Sequence, residues 1–323
     1  MKSLALAALT ACVMTLASHA DDLKLGIIGL DTSHATAFTE ILNDPNHKDH
    51  IPGAKVVAAF PGGSPDIESS ISRVPEYTTV LRDRFKVTIC PSIEEVCALS
   101  DAILIESVDG RPHLAQARIV ISARKPLYID KPLAGSLRDA LTIASLAKSA
   151  GVPFFSSSSL RFAKSTQAVR NGSIGKVLSA ETTSPSPIEK THPDLFWYGI
   201  HGCESLFTVM GTGCESVTRS TTPDGRIEVR GTWKNGRTGT FREDKSYSGT
   251  AHGETGDAPI GAFDGYTPLV AEIVRFFQSG KPPVAADETL ELLAFMEAAD
   301  ESKRRNGQPV SLAEIMKAAQ PSP

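Results

Sequence analysis

The first half of the chain alternates between short apolar stretches and longer amphipathic ones, and this alternation restricts the fold more than any other feature. Parallel strands need crossover connections, which are usually helices, so the pattern predicts a parallel sheet with helices on both faces. Ligands of such sheets bind beyond the carboxyl ends of the strands. The expected strands are 23–28, 54–60, 86–89, 101–106, 126–129 and 152–155, and the clearest expected helices are 35–42, 113–123 and 137–150.

After residue 158 the pattern changes to longer alternating strands and two closing helices. The Asn235-Gly236 pair is a strong hairpin signal, and the Gly-rich stretch 246–264 is expected to be a mobile loop. The predicted fold is α/β, with an N-terminal Rossmann-like doubly wound parallel sheet over 21–158 and a C-terminal α/β domain with a largely antiparallel open sheet over 159–323. The expected strands are 177–184, 216–222, 227–233 and 238–242, and the helices, which pack on that sheet or reach back to the first domain, are 268–279 and 287–306.

The first twenty residues have the composition of a secretory signal. Lys2 precedes an apolar run over 4–16, and small residues at 18–20 offer a cleavage point. The run is shorter than the roughly 20 apolar residues of a spanning helix. Cleavage after Ala20 predicts an exported protein, periplasmic or secreted, with no transmembrane span in the mature chain. The alternative is a lipoprotein anchored through Cys12, which ends a lipobox-like tetrapeptide.

Charge and cysteine content exclude several functional classes. The 323 residues carry 33 Lys and Arg against 37 Asp and Glu, a net charge of −4, with no basic block. Such a chain lacks the basic patch of a protein that binds nucleic acid or an anionic membrane, so a small-molecule partner is expected. The cysteines after Cys12 match neither a disulfide framework nor a thiolate zinc site, and they are expected to be buried free thiols: Cys90, Cys97, Cys203 and Cys214.

Motifs follow the predicted strands in a characteristic order. They are Gly26-Ile-Ile-Gly29, the strand ending in Glu106, His113, Tyr128-Ile-Asp-Lys131-Pro-Leu133, Ser159-Leu-Arg161-Phe162, Gly172-Ser-Ile-Gly175 and Gly199-Ile-His201. This order resembles the family of glucose–fructose oxidoreductase, inositol dehydrogenase and rhizopine-catabolism enzymes (Gfo/Idh/MocA) over 23–312. The resemblance implies NAD or NADP in the first domain, a carbohydrate or polyol substrate, and a homo-oligomer through the C-terminal sheet.

The resemblance also implies roles for particular residues. Lys131, in an Asp-Lys-Pro sequence where the family usually has Glu-Lys-Pro, and His201 are the expected catalytic pair, and no metal ligand is expected. The residues expected at the cofactor are Gly26, Gly29, Asp31, Thr32, Ser33, His34, Glu106 and His113. Those expected at the substrate are Lys131, Arg161, Trp197, Tyr198, His201 and Glu204.

The first departure from the family concerns the dinucleotide loop. Asp31 and His34 stand where its second and third glycines are usual. A carboxylate beside a pyrophosphate is repulsive and both side chains take up room, so replacing the two by glycine is predicted to strengthen NAD(H) binding. Thr32 or Ser33 still caps a helix whose N-terminus suits an anion.

Two further departures lie elsewhere. The second strand leads into Pro-Gly-Gly-Ser instead of a ribose-binding acid, and Asp66 is the nearest carboxylate. Trp197 replaces an aspartate that usually acts with the catalytic histidine. Lys131 and His201 still form a credible acid/base couple.

Three functions stay open. The first is an exported NAD(P)-dependent oxidoreductase in which Lys131 holds the substrate hydroxyl and His201 takes its proton. The second is a hydrolase or lyase without redox turnover, and the third is a sugar-binding module. A Zn or Mn ion would assist the hydrolase or lyase. Imidazole and carboxylate groups would hold it, and the candidates are Asp31, His34, Glu106, Asp109, His113 and His201.

Each assignment has a structural alternative. Lys131 could pair with Asp130 or Glu106, His201 could be a core histidine, and His113 could cap or pack against its helix. His192 and Tyr266 are minor candidates on loops.

Overall fold

The computed structural model describes residues 22–320. The expected signal peptide, its cleavage point and Cys12 lie outside these residues. Within the described part of the chain, no helix is long and apolar enough to cross a membrane.

Six parallel strands form the first sheet, which confirms the predicted Rossmann-like architecture. They are β1 (Leu23–Ile28), β2 (Ala54–Phe60), β3 (Thr88–Ile89), β4 (Ala102–Ile105), β5 (Leu127–Ile129) and β6 (Phe154–Ser156). Their order is β3-β2-β1-β4-β5-β6, so the direction of chain progression reverses between β1 and β4. A crevice at such a reversal is the usual ligand site of an open α/β sheet.

The crossover helices begin at side-chain caps. The hydroxyls of Thr32, Ser92 and Ser136 each accept a hydrogen bond from a backbone N–H of the following turn, which satisfies a donor that has no partner within the helix. The helices are α1 (Ser33–Asn43), α2 (Glu68–Ile71), α3 (Val74–Thr79), α4 (Ile93–Leu99), α5 (His113–Ser122) and α6 (Leu137–Ala150), and a short turn (Ser159–Phe162) and α7 (Lys164–Arg170) lead to the second sheet.

Seven strands form the second sheet, and it is largely antiparallel as predicted. They are β7 (Val177–Ser184), β8 (Cys214–Thr221), β9 (Ile227–Trp233), β10 (Thr238–Glu243), β11 (Ser248–Gly253), β12 (Gly256–Pro259) and β13 (Val310–Ser311). The order is β12-β11-β7-β10-β9-β8-β13, and β7 with β10 is its parallel pair. Asn235 and Gly236 connect β9 to β10 with φ angles of 63° and 74°, the left-handed conformations that such a turn requires.

The expectation of a mobile loop over 246–264 is wrong. β11 and β12 form a hairpin there, and β11 pairs with β7 at the end of the sheet. A Cβ on Gly249 would lie 2.4 Å from the carbonyl oxygen of Glu181. The glycine content therefore reflects close approach between strands and not mobility.

The closing helices divide between the domains. They are α8 (Ile200–Met210), α9 (Thr267–Ser279), α10 (Ala286–Arg304) and α11 (Leu312–Ala318). α8 and α10 pack on the second sheet, whereas α9 returns to the first domain and buries Leu269, Ile273 and Phe276 against Leu25 and Phe38. The boundary predicted at 158/159 falls in the turn after β6, although α9 lies on the other side of it in space.

The cysteines within the described residues are buried free thiols, as predicted. Burial raises the pKa of the Cys203 thiol, so the reactive thiolate is disfavoured there.

Candidate active site

A cleft of about 320 Å³ opens between the carboxyl edge of the parallel sheet and the start of α8. It lies at the switch point of the sheet, because Lys131 follows β5 and the start of α1 follows β1. The lining residues are Thr32, Ser33, His34, Ser69, Arg73, Tyr77, Val108, Lys131, Ser159, Leu160, Trp197, Tyr198, His201, Tyr247, Phe263 and Tyr266.

Lys131 and His201 meet in this cleft. The Lys131 ammonium lies 5.6 Å from the centroid of the Tyr198 ring. The His201 ring lies 5.5 Å from the same ring, centroid to centroid. Lys131 is 6% exposed, and its ammonium forms no ion pair with any carboxylate of residues 22–320. The two groups can therefore contact one bound molecule.

His201 is held in a buried position that favours its neutral form. Its Nδ1 lies 2.7 Å from the hydroxyl oxygen of Ser158. Burial, followed by the nearby positive charge of Lys131, lowers the pKa of His201 well below its ordinary value. With Nδ1 occupied, Nε2 has no hydrogen-bond partner among the described residues and can act as a base toward the cleft.

Arg161 and Glu204 do not line the cleft, although the sequence placed both at the substrate. Arg161 Nε donates to Glu204 Oε1 at 2.7 Å, and the backbone N–H of Ser158 donates to Glu204 Oε2 at 2.7 Å. Arg161 also pairs with Glu288. Glu204 therefore holds Ser158 in place, and Ser158 contacts His201. Arg161 and Glu204 are thus positioning residues for His201.

Aromatic side chains line the part of the cleft around this pair. Tyr198 is partly exposed there, as expected for a substrate contact. Trp197 also lines the cleft and packs on Ile67 and Val108. Tyr247 lies 5.7 Å from His201, centroid to centroid.

Asp31 does not face a phosphate site in this structure. Ser70 Oγ donates to its Oδ2 at 2.6 Å and the backbone N–H of Val108 donates to Oδ1 at 3.0 Å. Burial raises the pKa of Asp31, although these bonds oppose that effect. The carboxylate connects the β1–α1 loop to α2 and to the loop after β4, so Asp31 has a structural role. Its effect on nucleotide binding stays a prediction.

The loops after β2 and β4 are tied together beside Asp31. Ser64 Oγ donates to Asp109 Oδ2 at 2.6 Å, and Arg111 binds Asp66 through two bonds of 2.8 Å. Arg111 also binds Asp109, and His192 Nε2 lies 3.0 Å from Asp109 Oδ1. Burial would raise the pKa of Asp109, but these donors outweigh it and hold that pKa far below its usual range. Asp66 thus forms an ion pair with Arg111 at the position where an ordinary dinucleotide site binds ribose.

Four residues assigned to the cofactor are buried outside the cleft. His113 lies between the carbonyl oxygens of Pro132 and Ser107, each 2.9 Å from a ring nitrogen. Gly26 lies under α4, where an added Cβ would be 2.4 Å from Val96. Glu106 is fully buried at the end of β4. Gly29, at φ 96°, packs on Ser107. None of these lines the cleft.

Asp130, which the sequence analysis named only as a possible partner of Lys131, is buried beside the cleft residue His34. Asp130 Oδ2 lies 2.7 Å from His34 Nδ1, and the Tyr128 hydroxyl donates to Oδ1 at 3.1 Å. Burial would raise the pKa of Asp130, but the interactions with His34 and Lys131 outweigh it and lower that pKa. Its place directly before Lys131 at the end of a strand was the signal that could have identified it.

The α1 end of the cleft fits the phosphates of a nicotinamide dinucleotide. Thr32 and Ser33 present the positive end of an 11-residue helix to the cleft. Arg73 lines the same cleft and has no acidic partner among residues 22–320. These groups would replace the usual glycine-loop contacts.

Comparisons with known proteins agree with this architecture. No family model matches the chain. The inositol 2-dehydrogenase of Cereibacter sphaeroides is 33% identical over 115 residues, which cover 35% of this chain and 29% of the length of that protein. The myo-inositol dehydrogenase of Lactobacillus casei, solved with NAD(H) and myo-inositol, superposes with a TM-score of 0.70 at 17% identity, covering 90% of this chain and 97% of that one.

An oxidoreductase from Agrobacterium radiobacter, solved with NAD+, L-tartaric acid and magnesium, has a TM-score of 0.69 at 17% identity and covers 91% of this chain and 100% of that one. The chain thus shares its fold with these two-domain, Rossmann-type proteins, which include a myo-inositol dehydrogenase. The match to the Cereibacter sphaeroides enzyme spans less than a third of that protein, and it agrees with the resemblance drawn from the sequence motifs.

Proposed function

We propose that the protein is an NAD(P)-dependent oxidoreductase that acts on a hydroxyl group of a carbohydrate or polyol. The observation that carries this proposal is the meeting of Lys131 and His201 at the Tyr198 ring, in a cleft at the switch point of the sheet. The inositol dehydrogenases with the same fold support the reaction class.

The chemistry follows from the two polar groups. A nicotinamide, when bound, would supply the hydride acceptor for the carbon that bears the reacting hydroxyl. The Lys131 ammonium donates a hydrogen bond to the hydroxyl oxygen, where negative charge develops. His201 Nε2 accepts the hydroxyl proton, so the alcohol is converted to a carbonyl with one hydride and one proton accounted for.

The lining of the cleft favours a neutral, polyhydroxylated substrate. Tyr198, Tyr247 and Phe263 offer aromatic surfaces for C–H groups, and the hydroxyl of Ser159 adds a polar contact. Arg73 and the start of α1 line the same cleft, and we assign the phosphates of the cofactor to them.

Binding and turnover together test this function. Mature protein is titrated with NADH and NADPH by fluorescence, and reduction of NAD+ and NADP+ is followed with cyclitols and sugars. We expect binding of at least one nucleotide and its reduction by a polyol. Failure of both nucleotides to bind would contradict the proposal.

A second candidate is a hydrolase or lyase that uses the same cleft without redox turnover. The contacts of Arg111 with Asp66 and of Ser64 with Asp109 favour it, because they tie together the loops beside an ordinary ribose site. Release of product from a glycoside without any nucleotide would support this candidate.

We further propose that the mature chain is exported and begins at Asp21. The apolar run and the small residues before Asp21 support this. Mass spectrometry of protein from the cell envelope should find Asp21 at the N-terminus, and an intact Met1 would contradict export. A lipid-modified Cys12 would indicate anchoring instead.

We also propose a homo-oligomer formed through the second sheet. Thr182 bonds to Gly202 of α8, so its neighbours Glu181 and Thr183 point to the opposite face of β7, where Glu181 is exposed. Sedimentation velocity should show a dimer or larger species, whereas a monomer at all concentrations would contradict this arrangement.

A further inference from the structure

Three groups that commonly bind metals converge below the floor of the cleft. His34 begins α1, Glu106 follows β4 and Asp130 follows β5. One potential ligand atom from each lies within 4.8 Å of the others, and all three residues are buried. The parallel sheet brings them together because its carboxyl ends share one edge.

Glu106 is the observation that distinguishes this cluster from an ordinary group of acids. It is 0% exposed, and neither carboxylate oxygen has a hydrogen-bond partner among the described residues. Other buried acids have donors: Asp31 has Ser70 and Val108, and Glu204 has Arg161. A buried carboxylate without a partner is destabilising unless it takes up a proton or binds a cation.

The spacing of the cluster suits a metal ion. His34 Nδ1 and Asp130 Oδ2 are 2.7 Å apart. Adjacent ligands bound at about 2.1 Å to one ion lie about 3 Å apart, so both atoms fit one coordination sphere with little movement. The Tyr128 hydroxyl bonds to the other oxygen of Asp130, and such outer contacts orient metal ligands.

We propose that His34, Glu106 and Asp130 form a binding site for a divalent transition-metal cation. One imidazole and two carboxylates suit zinc or manganese, and the two negative charges balance a divalent ion. His34 belongs to the cluster and also lines the cleft, so the cluster borders the cleft at that residue. Three protein ligands leave room in the coordination sphere of the ion for water or a substrate oxygen.

A cation bound at this site explains why an acidic residue, Glu106, occupies so buried a position. The Lys131 ammonium lies over Tyr198, and its positive charge acts on both Glu106 and Asp130 from a distance. It makes no ion pair within 4.0 Å with either acid, so the Glu106 oxygens still have no direct partner among the described residues. The inference does not depend on the proposed redox function, because metal content is measured without nucleotide or substrate.

Metal analysis of the mature protein tests the proposal. Elemental mass spectrometry measures the metal content of protein purified without chelator. The metal is then removed, and binding of ZnCl2, MnCl2 and MgCl2 to the metal-free protein is measured by calorimetry. We expect about one zinc or manganese ion per chain and a higher melting temperature when the ion is bound. We expect Glu106→Gln to weaken binding by more than the roughly 10-fold to 100-fold cost of losing an outer contact.

A matched control and a second variant keep the result interpretable. Glu297→Gln changes a half-buried glutamate on α10 that accepts a bond from the Leu137 N–H and is not part of the cluster, so it should leave metal affinity unchanged. His34→Asn provides an independent ligand change should Glu106→Gln not fold. Absence of bound zinc or manganese in the wild type, or equal affinity in Glu106→Gln and the wild type, would overturn the site.

Discussion

At the scale of single residues, the partners of buried acids determine what each acid can do. Asp31 receives two hydrogen bonds, whereas the carboxylate of Glu106 receives none among the described residues. The sequence identified Asp31 as unusual for a dinucleotide loop. It could not identify Ser70 and Val108 as its partners, because they lie 39 and 77 residues away and only the fold brings them close.

Replacement of Asp31 tests its structural role. Asp31→Ala should lower the free energy of unfolding by about 1–3 kcal/mol, because the Val108 N–H and the Ser70 hydroxyl lose their buried acceptor. Urea denaturation measures the change, with Asp257→Ala on β12 as an exposed control. Unchanged stability, with tighter NADH binding in Asp31→Ala, would instead favour the repulsion explanation.

At the scale of elements, most of the fold was predictable from periodicity. β1, β2, α6, β7 and β9 have the predicted bounds, because an uninterrupted pattern of buried positions defines them. The hairpin of β11 and β12 was not predictable, since its small residues provide little hydrophobic contrast. The return of α9 to the first domain depends on packing between the domains. The hydrophobic pattern within one helix does not show which of the two domains it packs against.

The N-terminus of α1 and the neighbouring Arg73 provide a prediction at this scale. Arg73→Met should weaken NAD(H) binding about tenfold, because a charged hydrogen bond to a phosphate is lost. Fluorescence titration measures the dissociation constant, and Arg230→Met on β9 is the control for loss of one exposed positive charge. Equal affinity in Arg73→Met and the wild type would place the phosphates elsewhere.

At the scale of the whole molecule, two buried histidines make stability dependent on pH. Burial lowers the pKa of His113, and burial with the charge of Lys131 lowers that of His201. The unfolded rings titrate near pH ~6.5, so below that pH the unfolded state binds protons that the folded state excludes. Stability from the neutral rings is therefore present above pH ~6.5 and is lost as the pH falls toward the lower folded values.

Denaturation at several pH values measures this effect. We expect the free energy of unfolding to fall by up to about 1.4 kcal/mol per pH unit for each ring between pH ~6.5 and the folded pKa. His201→Asn should reduce that slope, and His47→Asn serves as a surface control. An identical slope in His201→Asn and the wild type would contradict a buried neutral His201.

The candidate catalytic pair was predictable in part, because motifs mark both residues. Lys131 directly precedes a proline near the end of a strand, His201 lies two residues after Gly199 at the start of a helix, and the resemblance to a known family assigned both. The support from Ser158, Glu204 and Arg161 could not be predicted in the same way. It joins residues more than 40 positions apart in sequence, as the separation of 43 between Ser158 and His201 shows.

Turnover of Lys131→Met and His201→Asn, measured beside their melting temperatures, tests most directly whether the two residues act on one substrate. Lys131→Met removes the charge and keeps most of the stem, and His201→Asn removes the base and keeps a polar group. We predict that each lowers kcat by about two to four orders of magnitude while the melting temperature changes by only a few degrees. Activity per folded molecule close to that of the wild type, together with a large fall in melting temperature, would show that both residues are structural and contradict the proposed acid/base centre.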